Sequence, residues 1–259
     1  MHAHSTYSYD GKETLSSLKD FLLSKGVSFC CMTEHTDELS LEKAQQFIQE
    51  CKALSGSQFV FIPGFEVPYK NAHILLVGTE SFLAQKATPE ILQSWSEKSV
   101  LTVLAHPVRN GFKIDEAIQN AIDAVEIWNQ QYEGKKVPRQ HSARLLRQLQ
   151  EKNPGLLATG GLDFHRREHF GAPQFTLELE RVTTDSILSA LKNGEYTFGN
   201  KSVAVSSNGL WKGKNSTLHK LQSLNSIVTI VLGKKTNAFL AMFGLSLPKG
   251  LKRFIRSRT

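Results

Sequence analysis

The chain opens Met1-His2-Ala3-His4-Ser5-Thr6-Tyr7-Ser8-Tyr9-Asp10, two histidines one residue apart followed by a carboxylate. Side chains two apart on an extended segment point the same way, so His2 and His4 can reach toward one point beyond a strand end. Imidazole and carboxylate in that arrangement make half of a metal site. The remaining donors recur along the chain as Glu34-His35, Glu66, His73, His106, Asp163 and His165.

Where those donors fall decides the fold class. Residues 27–33, 59–62, 72–77, 100–105, 124–128 and 156–160 are short apolar runs that read as strands, and all but the third and fifth lead directly into a donor or its Gly-rich approach. His73 instead stands at the beginning of its run. Between the strands, residues 13–25 place Leu15, Leu18, Phe21 and Leu22 on one helical stripe before Gly26. Ser40 caps a second helix with Leu41, Ala44, Phe47, Ile48, Cys51 and Leu54 inward, and Thr88-Pro89 starts a third. Further helices are expected over residues 115–122, 138–151 and 183–192, the last stopped by Asn193-Gly194. Strand and helix alternate to about residue 200, with polar donors gathered after the strands. That is the pattern of an α/β parallel barrel whose loops carry the chemistry. No G-x-G-x-x-G or phosphate-binding P-loop sequence is present to serve an open doubly wound sheet.

Length and composition agree with one such domain plus an extension. The 259 residues are 40% hydrophobic and 21% charged, as in ordinary globular proteins, and contain no apolar run long enough to span a membrane. A charged segment followed by an apolar one, the mark of a secretory signal, is absent from the first residues, so a cytoplasmic location is expected. Cys30, Cys31 and Cys51 lack metal-knot or disulfide spacing and read as buried thiols.

The net charge of +7 hides an asymmetry: residues 201–259 hold eleven of the 31 Lys and Arg and none of the 24 Asp and Glu, which leaves −4 on the first 200. We therefore expect a domain over residues 1–200 and a basic extension over 201–259. Such a tail suits contact with nucleic acid or an anionic surface, or else serves as a solvated extension. Within it, residues 227–232 could form a strand and 236–245 a short helix.

Six of nine histidines sit at strand boundaries beside acids, glycine or proline, a distribution that structural hydrogen bonding alone does not explain. Mixed His and carboxylate ligation favours Zn, Mn or Fe over Mg or Ca. Taken in order, His2-Ala-His4-Ser with Asp10-Gly11, Thr33-Glu-His35, Gly64-Phe-Glu66, Ala72-His73, Ala105-His106-Pro107 and Gly161-Leu-Asp163-Phe-His165 resemble the PHP family, named for polymerase and histidinol phosphatase. The resemblance spans about residues 1–200.

It implies a distorted (β/α)7 barrel with three divalent metal ions at the C-terminal ends of the strands. One ion would take His2, His4, Glu66 and Asp163, a second Glu66, His73 and His106, and a third Asp10, His35 and His165. It also implies a hydrolase of phosphoric ester bonds that uses a metal-bound hydroxide on a small phosphorylated substrate: a nucleotide, an oligonucleotide or a small metabolite. Asp10, His35, His165 and Arg109 would be the catalytic groups, with Arg109 clamping phosphate. Histidinol-phosphate hydrolysis and a non-catalytic metal-binding module are the alternatives. Arg166, Arg167 and His169 are further candidates for phosphate, Ser5, Ser8 and Tyr7 for substrate contact, and Glu34 is expected to point away while His35 ligates. Asp37 and Glu126 read as hydrogen-bond partners rather than ligands.

Overall fold

The computed structural model describes residues 1–82, 87–96 and 101–212. The expected strand over 227–232, the helix over 236–245 and the rest of the basic extension from residue 213 onward, His219 included, lie outside the described residues.

Helix α1 (Leu15–Ser24) begins where Thr14 accepts a hydrogen bond from Ser17 N, and it buries Leu15, Leu18 and Leu22. Strand β1 (Phe29–Cys31) pairs in parallel with β3 (Val60–Ile62), and β2 (Glu34–His35) pairs in parallel with β4 (Gly64–Tyr69). Between them runs α2 (Leu41–Leu54), capped by Ser40, with Ala44, Phe47, Ile48 and Cys51 inward, whereas Leu41, expected inward, is exposed on the first turn and Leu54 is half-buried. Pro63, which has no N–H to donate, separates β3 from β4. The chain continues extended past that break, so Glu66 sits within a strand and not after one, in register with His35.

Strand β5 (Ala72–Val77) turns back antiparallel along β4, and β6 (Leu101–Ala105) returns antiparallel to β5. Because β5 runs against its neighbours, its first residues lie at the end where β6 finishes, and His73 pairs with Ala105, next to His106. Helices α3 (Pro89–Ser96) and α4 (Glu116–Ala121) precede β6 and β7 (Ala124–Asn129). After the short α5 (Gln130–Glu133) comes α6 (Gln140–Gln150), which leads to β8 (Leu157–Gly161), parallel to β7. An antiparallel sheet of β9 (Gln174–Leu177), β10 (Tyr196–Gly199), β11 (Ala204–Ser206) and β12 (Trp211–Lys212) follows, with α7 (Thr184–Asn193) between β9 and β10. Helix α7 opens with a Thr183–Ser186 capping box and stops at Gly194, whose φ of 70° suits a residue without a Cβ.

The sheets are six-stranded in the order β2-β4-β5-β6-β7-β8, two-stranded and four-stranded. The class is therefore α/β with a mixed sheet, and it departs from the expected parallel closed barrel: β5 is antiparallel, and among the described residues no sheet closes. Met1–His4 lie between the two open edges. His4 N donates to Phe164 O and Phe164 N to His2 O on one side, and Thr33 N donates to Ala3 O on the other. Too short for a regular strand, this segment still holds its backbone from both sides, which aims His2 and His4 inward. The four-stranded sheet also carries regular structure past residue 200, where the alternation of helix and strand had already faded. Among the described residues, no helix is long and apolar enough to cross a membrane, and the three cysteines are free and buried.

Candidate metal centre

The nine ligands that the resemblance implies lie, without Glu34, in one cluster. Glu66 stands at its centre: Oε2 is 3.0 Å from His2 Nε2, 3.1 Å from His4 Nε2 and 3.6 Å from His35 Nδ1. Its Oε1 faces His106 Nε2 at 3.1 Å and contacts His73 Nδ1. Asp163 Oδ1 lies 3.4 Å from His2 Nε2 and 3.6 Å from His4 Nε2. Nearer the opening, Asp10 Oδ2 is 3.0 Å from His165 Nε2 and 3.6 Å from His35 Nε2. Among the described residues, three groups have donor atoms mutually close enough to share an ion: His2, His4, Glu66 and Asp163; Glu66, His73 and His106; and His4, His35 and His165. The third differs from the expected trio in including His4, with Asp10 alongside.

Ring orientation tests whether these groups suit a cation. His2 Nδ1 lies 2.9 Å from Glu126 Oε1, an acceptor only, so that nitrogen carries the proton and Nε2 presents a lone pair inward. His4 Nδ1 faces Ser8 Oγ at 3.3 Å, while His4 Nε2 is fully buried and has no hydrogen-bond partner. Two imidazole lone pairs aimed at two buried carboxylates repel unless a proton or a cation stands between them. The residues therefore fit a divalent ion of the borderline kind that takes nitrogen and oxygen together.

With protons in place of metal, the same proximity sets the ionisation. Burial disfavours a charged ring at His2 and His4, yet Asp163, Glu126 and Glu66 hold His2 well above its ordinary value, and Asp163 and Glu66 raise His4 to about 9. Burial likewise opposes ionised acids, but His2, His106 and His4 hold Glu66 far below the usual carboxylate range, and His2 and His4 do the same for Asp163. His35 moves the other way, pushed down to about 4 by burial and by the charge of His4.

The backbone is strained at three of the donors. His2, His106 and Asp163 have φ of 65°, 26° and 50°, a region costly for residues with a Cβ, on the order of 1–3 kcal/mol each. His106 is held there partly by its N–H, which donates to Glu126 Oε2 at 2.8 Å. Asn129 Nδ2 donates to the same oxygen. Glu126 is thus a hydrogen-bond partner that braces two candidate ligands, one on each side of β7.

Arg109, in a 3-10 turn that begins right after His106, reaches to 3.1 Å from His73 Nε2 and lies beside the cluster. Arg166 and His169 pair with each other, Nε to Nε2 at 3.0 Å, and Arg167 is drawn away to Glu13, just before α1, and to Ser17 on that helix. Tyr9 is exposed and stacks on His35 with ring centroids 5.0 Å apart. Two expectations change. Ser5 and Ser8 are buried and bonded to Glu34, so they do not line a substrate surface, and Tyr7 directs its hydroxyl to Glu50, 2.7 Å away. Glu34 does turn from the donor cluster, but into a fully buried hydrogen-bonded pocket. Asp37 is exposed. The bracing roles of Glu34 and Ser8 carry no signal in the sequence beyond their place near a donor.

An α/β domain with His and carboxylate groups able to bind metal is what this fold and cluster define. The chain belongs to the PHP domain family, which it matches over residues 1–159. No curated protein matches it. Among solved structures it is similar to a two-domain protein containing a predicted PHP-like metal-dependent phosphoesterase from Bacteroides vulgatus, at 14% identity and a TM-score of 0.59, over 79% of this chain and 65% of that one. The chain thus spans somewhat less than two thirds of that protein. An amidohydrolase from Chromobacterium violaceum with bound sulfate is similar at 15% identity and a TM-score of 0.48, over 73% of this chain and 95% of that one.

Proposed function

We propose that this protein is a metal-dependent phosphoesterase that hydrolyses a phosphate monoester, with three divalent ions held by the groups set out above and Asp10 completing the set of His35 and His165. The observation that carries this reading is the buried His4 Nε2, which lies 3.1 Å from the Glu66 carboxylate and 3.6 Å from that of Asp163 yet makes no hydrogen bond to either. Bound divalent ions supply Lewis acidity toward a phosphoryl oxygen and make water a competent nucleophile near neutral pH. The protein's own groups do the rest. Glu66 would hold an ion in each of two groups, and Glu126 fixes His2 and the backbone of His106. Arg109 offers a planar fork of N–H donors beside His73, suited to two oxygens of one phosphate. Asp10, His35 and His165 face the opening, where a substrate oxygen arrives. The backbone hydrogen bonds of Met1–His4 to both sheet edges support a distorted seven-strand ring, with that segment standing in for one strand.

Protein purified without chelator is expected to contain Zn, Mn or Fe and to hydrolyse an aryl phosphate monoester, and to lose both on chelation. Bound metal with no hydrolysis of any phosphate monoester in a broad screen would overturn the assignment.

The ionisation state gives a second test. His4 titrates in the metal-free fold at about 9, above its ordinary 6.5. Its stabilising contribution is therefore complete below about pH 6.5 and is lost as pH rises through about 9. Metal takes the place of that proton and binds more tightly as protons leave. The unfolding temperature of metal-free protein should fall between pH 6.5 and 9 while that of metal-loaded protein does not, so the gap between them widens. A gap independent of pH in calorimetry would contradict this.

A further inference from the structure

Beneath the cluster, Glu34 is fully buried on β2 and takes part in none of the candidate ion groups. Its Oε1 accepts from Ser5 N at 3.0 Å and Ser5 Oγ at 2.6 Å, and its Oε2 accepts from Ser8 Oγ and, more weakly at 3.2 Å, from the same Ser5 N. Ser8 Oγ in turn accepts from His35 N at 2.9 Å and faces His4 Nδ1 at 3.3 Å. A hydroxyl has one proton to give and two lone pairs to fill. The proton of Ser8 goes to Glu34 and one lone pair to the His35 amide, so the only bond left for His4 Nδ1 is as a donor to the second lone pair. Nδ1 then carries the ring proton and Nε2 is bare, which is the form a metal needs.

We propose that Glu34, acting through Ser8, is a positioning residue that fixes the tautomer of His4. The two histidines of the opening motif are thus set in different ways: His2 directly by Glu126, His4 at one remove by a hydroxyl whose direction a buried carboxylate dictates. This rests on the reading of the cluster as a metal site, but the tautomer itself does not depend on catalysis.

The count predicts what an isosteric change does. In Glu34→Gln, the Ser5 N–H is a fixed backbone donor that lies nearer Oε1, 3.0 Å, than Oε2, 3.2 Å, and Ser5 Oγ also donates to Oε1, so the amide oxygen is favoured on that side and the new NH2 faces Ser8. Ser8 Oγ then has both lone pairs filled, by that NH2 and by His35 N, and its proton must turn to His4 Nδ1. The ring proton moves to Nε2, into the position a metal would occupy.

Two-bond 1H–15N correlation spectra of metal-free protein, at alkaline pH where the ring is neutral, should show the Nδ1–H form of His4 in the wild type and the Nε2–H form in Glu34→Gln. In parallel, Zn2+ affinity measured by competition with a chelating dye should fall about 10- to 100-fold in Glu34→Gln and in Ser8→Ala, the range typical when a partner behind a metal ligand is removed. Ser8→Thr, which keeps the hydroxyl, should restore it. The same His4 tautomer in wild type and Glu34→Gln would overturn the proposal, as would a Ser8→Ala variant that binds Zn2+ like the wild type. Failure of wild-type protein to bind any divalent ion would instead sink the metal-site reading, and the spectra would still report on the tautomer.

Discussion

Glu66→Ala should strip the protein of metal and abolish phosphoester hydrolysis, the largest loss expected from any single substitution here. The Glu66 carboxylate lies within 3.1 Å of His2, His4 and His106, contacts His73 and stands 3.6 Å from His35. Removing it takes a ligand from two ion groups at once and leaves buried imidazoles facing one another. The metal-free fold suffers as well, because His2 and His4 are charged there and Glu66 is one of the acids that balance them. Removing one partner from a buried ion pair costs about 3–5 kcal/mol, which in a domain of this size lowers the unfolding temperature by roughly 10 °C. The checks are metal content by elemental analysis, turnover of an aryl phosphate, and calorimetry of both proteins without metal. A variant that keeps full metal content would refute the central place given to Glu66.

The second large effect is expected at a residue with no side chain. A Cβ on Gly161 would lie 1.8 Å from Glu126 Oε1 and 2.8 Å from His2 Cβ, both fully or almost fully buried. Neither can retreat into solvent, so Gly161→Ala must push Glu126 off His2 Nδ1 or bend β8. Overpacking of this kind costs about 1–3 kcal/mol, and displacing the partner of a metal-ligating histidine costs about 10- to 100-fold in metal affinity. Gly155→Ala serves as the control, since its nearest neighbour would be the flexible end of Asn153 at 3.5 Å. Equal Zn2+ affinity and stability in the two variants would show that the close approach at Gly161 is not needed.

Much of the fold was legible because local rules governed it. Helices α1, α2 and α7 begin at the Thr14, Ser40 and Thr183 caps, and their buried residues recur at helical spacing. Strands β5 and β8 fell where short apolar runs end or begin beside donors. Other elements were hidden for identifiable reasons. Pro63 and Pro68 break the pattern of β4, so that strand did not show, and Glu66 was read as lying after a strand instead of within one. The antiparallel course of β5 left only a trace, the histidine at its start, because the direction of a strand is set by what it pairs with and not by its own side chains. Strand β9 alternates exposed and half-buried residues, and β10 and β11 alternate half-buried and buried ones, over only three or four positions each, too short to register.

The same division holds for the site. The sequence by itself determined which donors exist, since His and carboxylate side chains at strand boundaries are chemistry that residue type alone specifies, and it determined the family through their order. Only the tertiary structure decided how they are shared: that Glu66 is common to two groups, that His4 approaches the third, and that Glu126, 124 residues from His2, holds its ring. It also decided that Ser5 and Ser8 serve Glu34 and not a substrate. The reason is physical. A donor's identity is local, but the direction of its lone pair depends on the hydrogen bond made by its other nitrogen, and that partner is brought near only when distant strands pack.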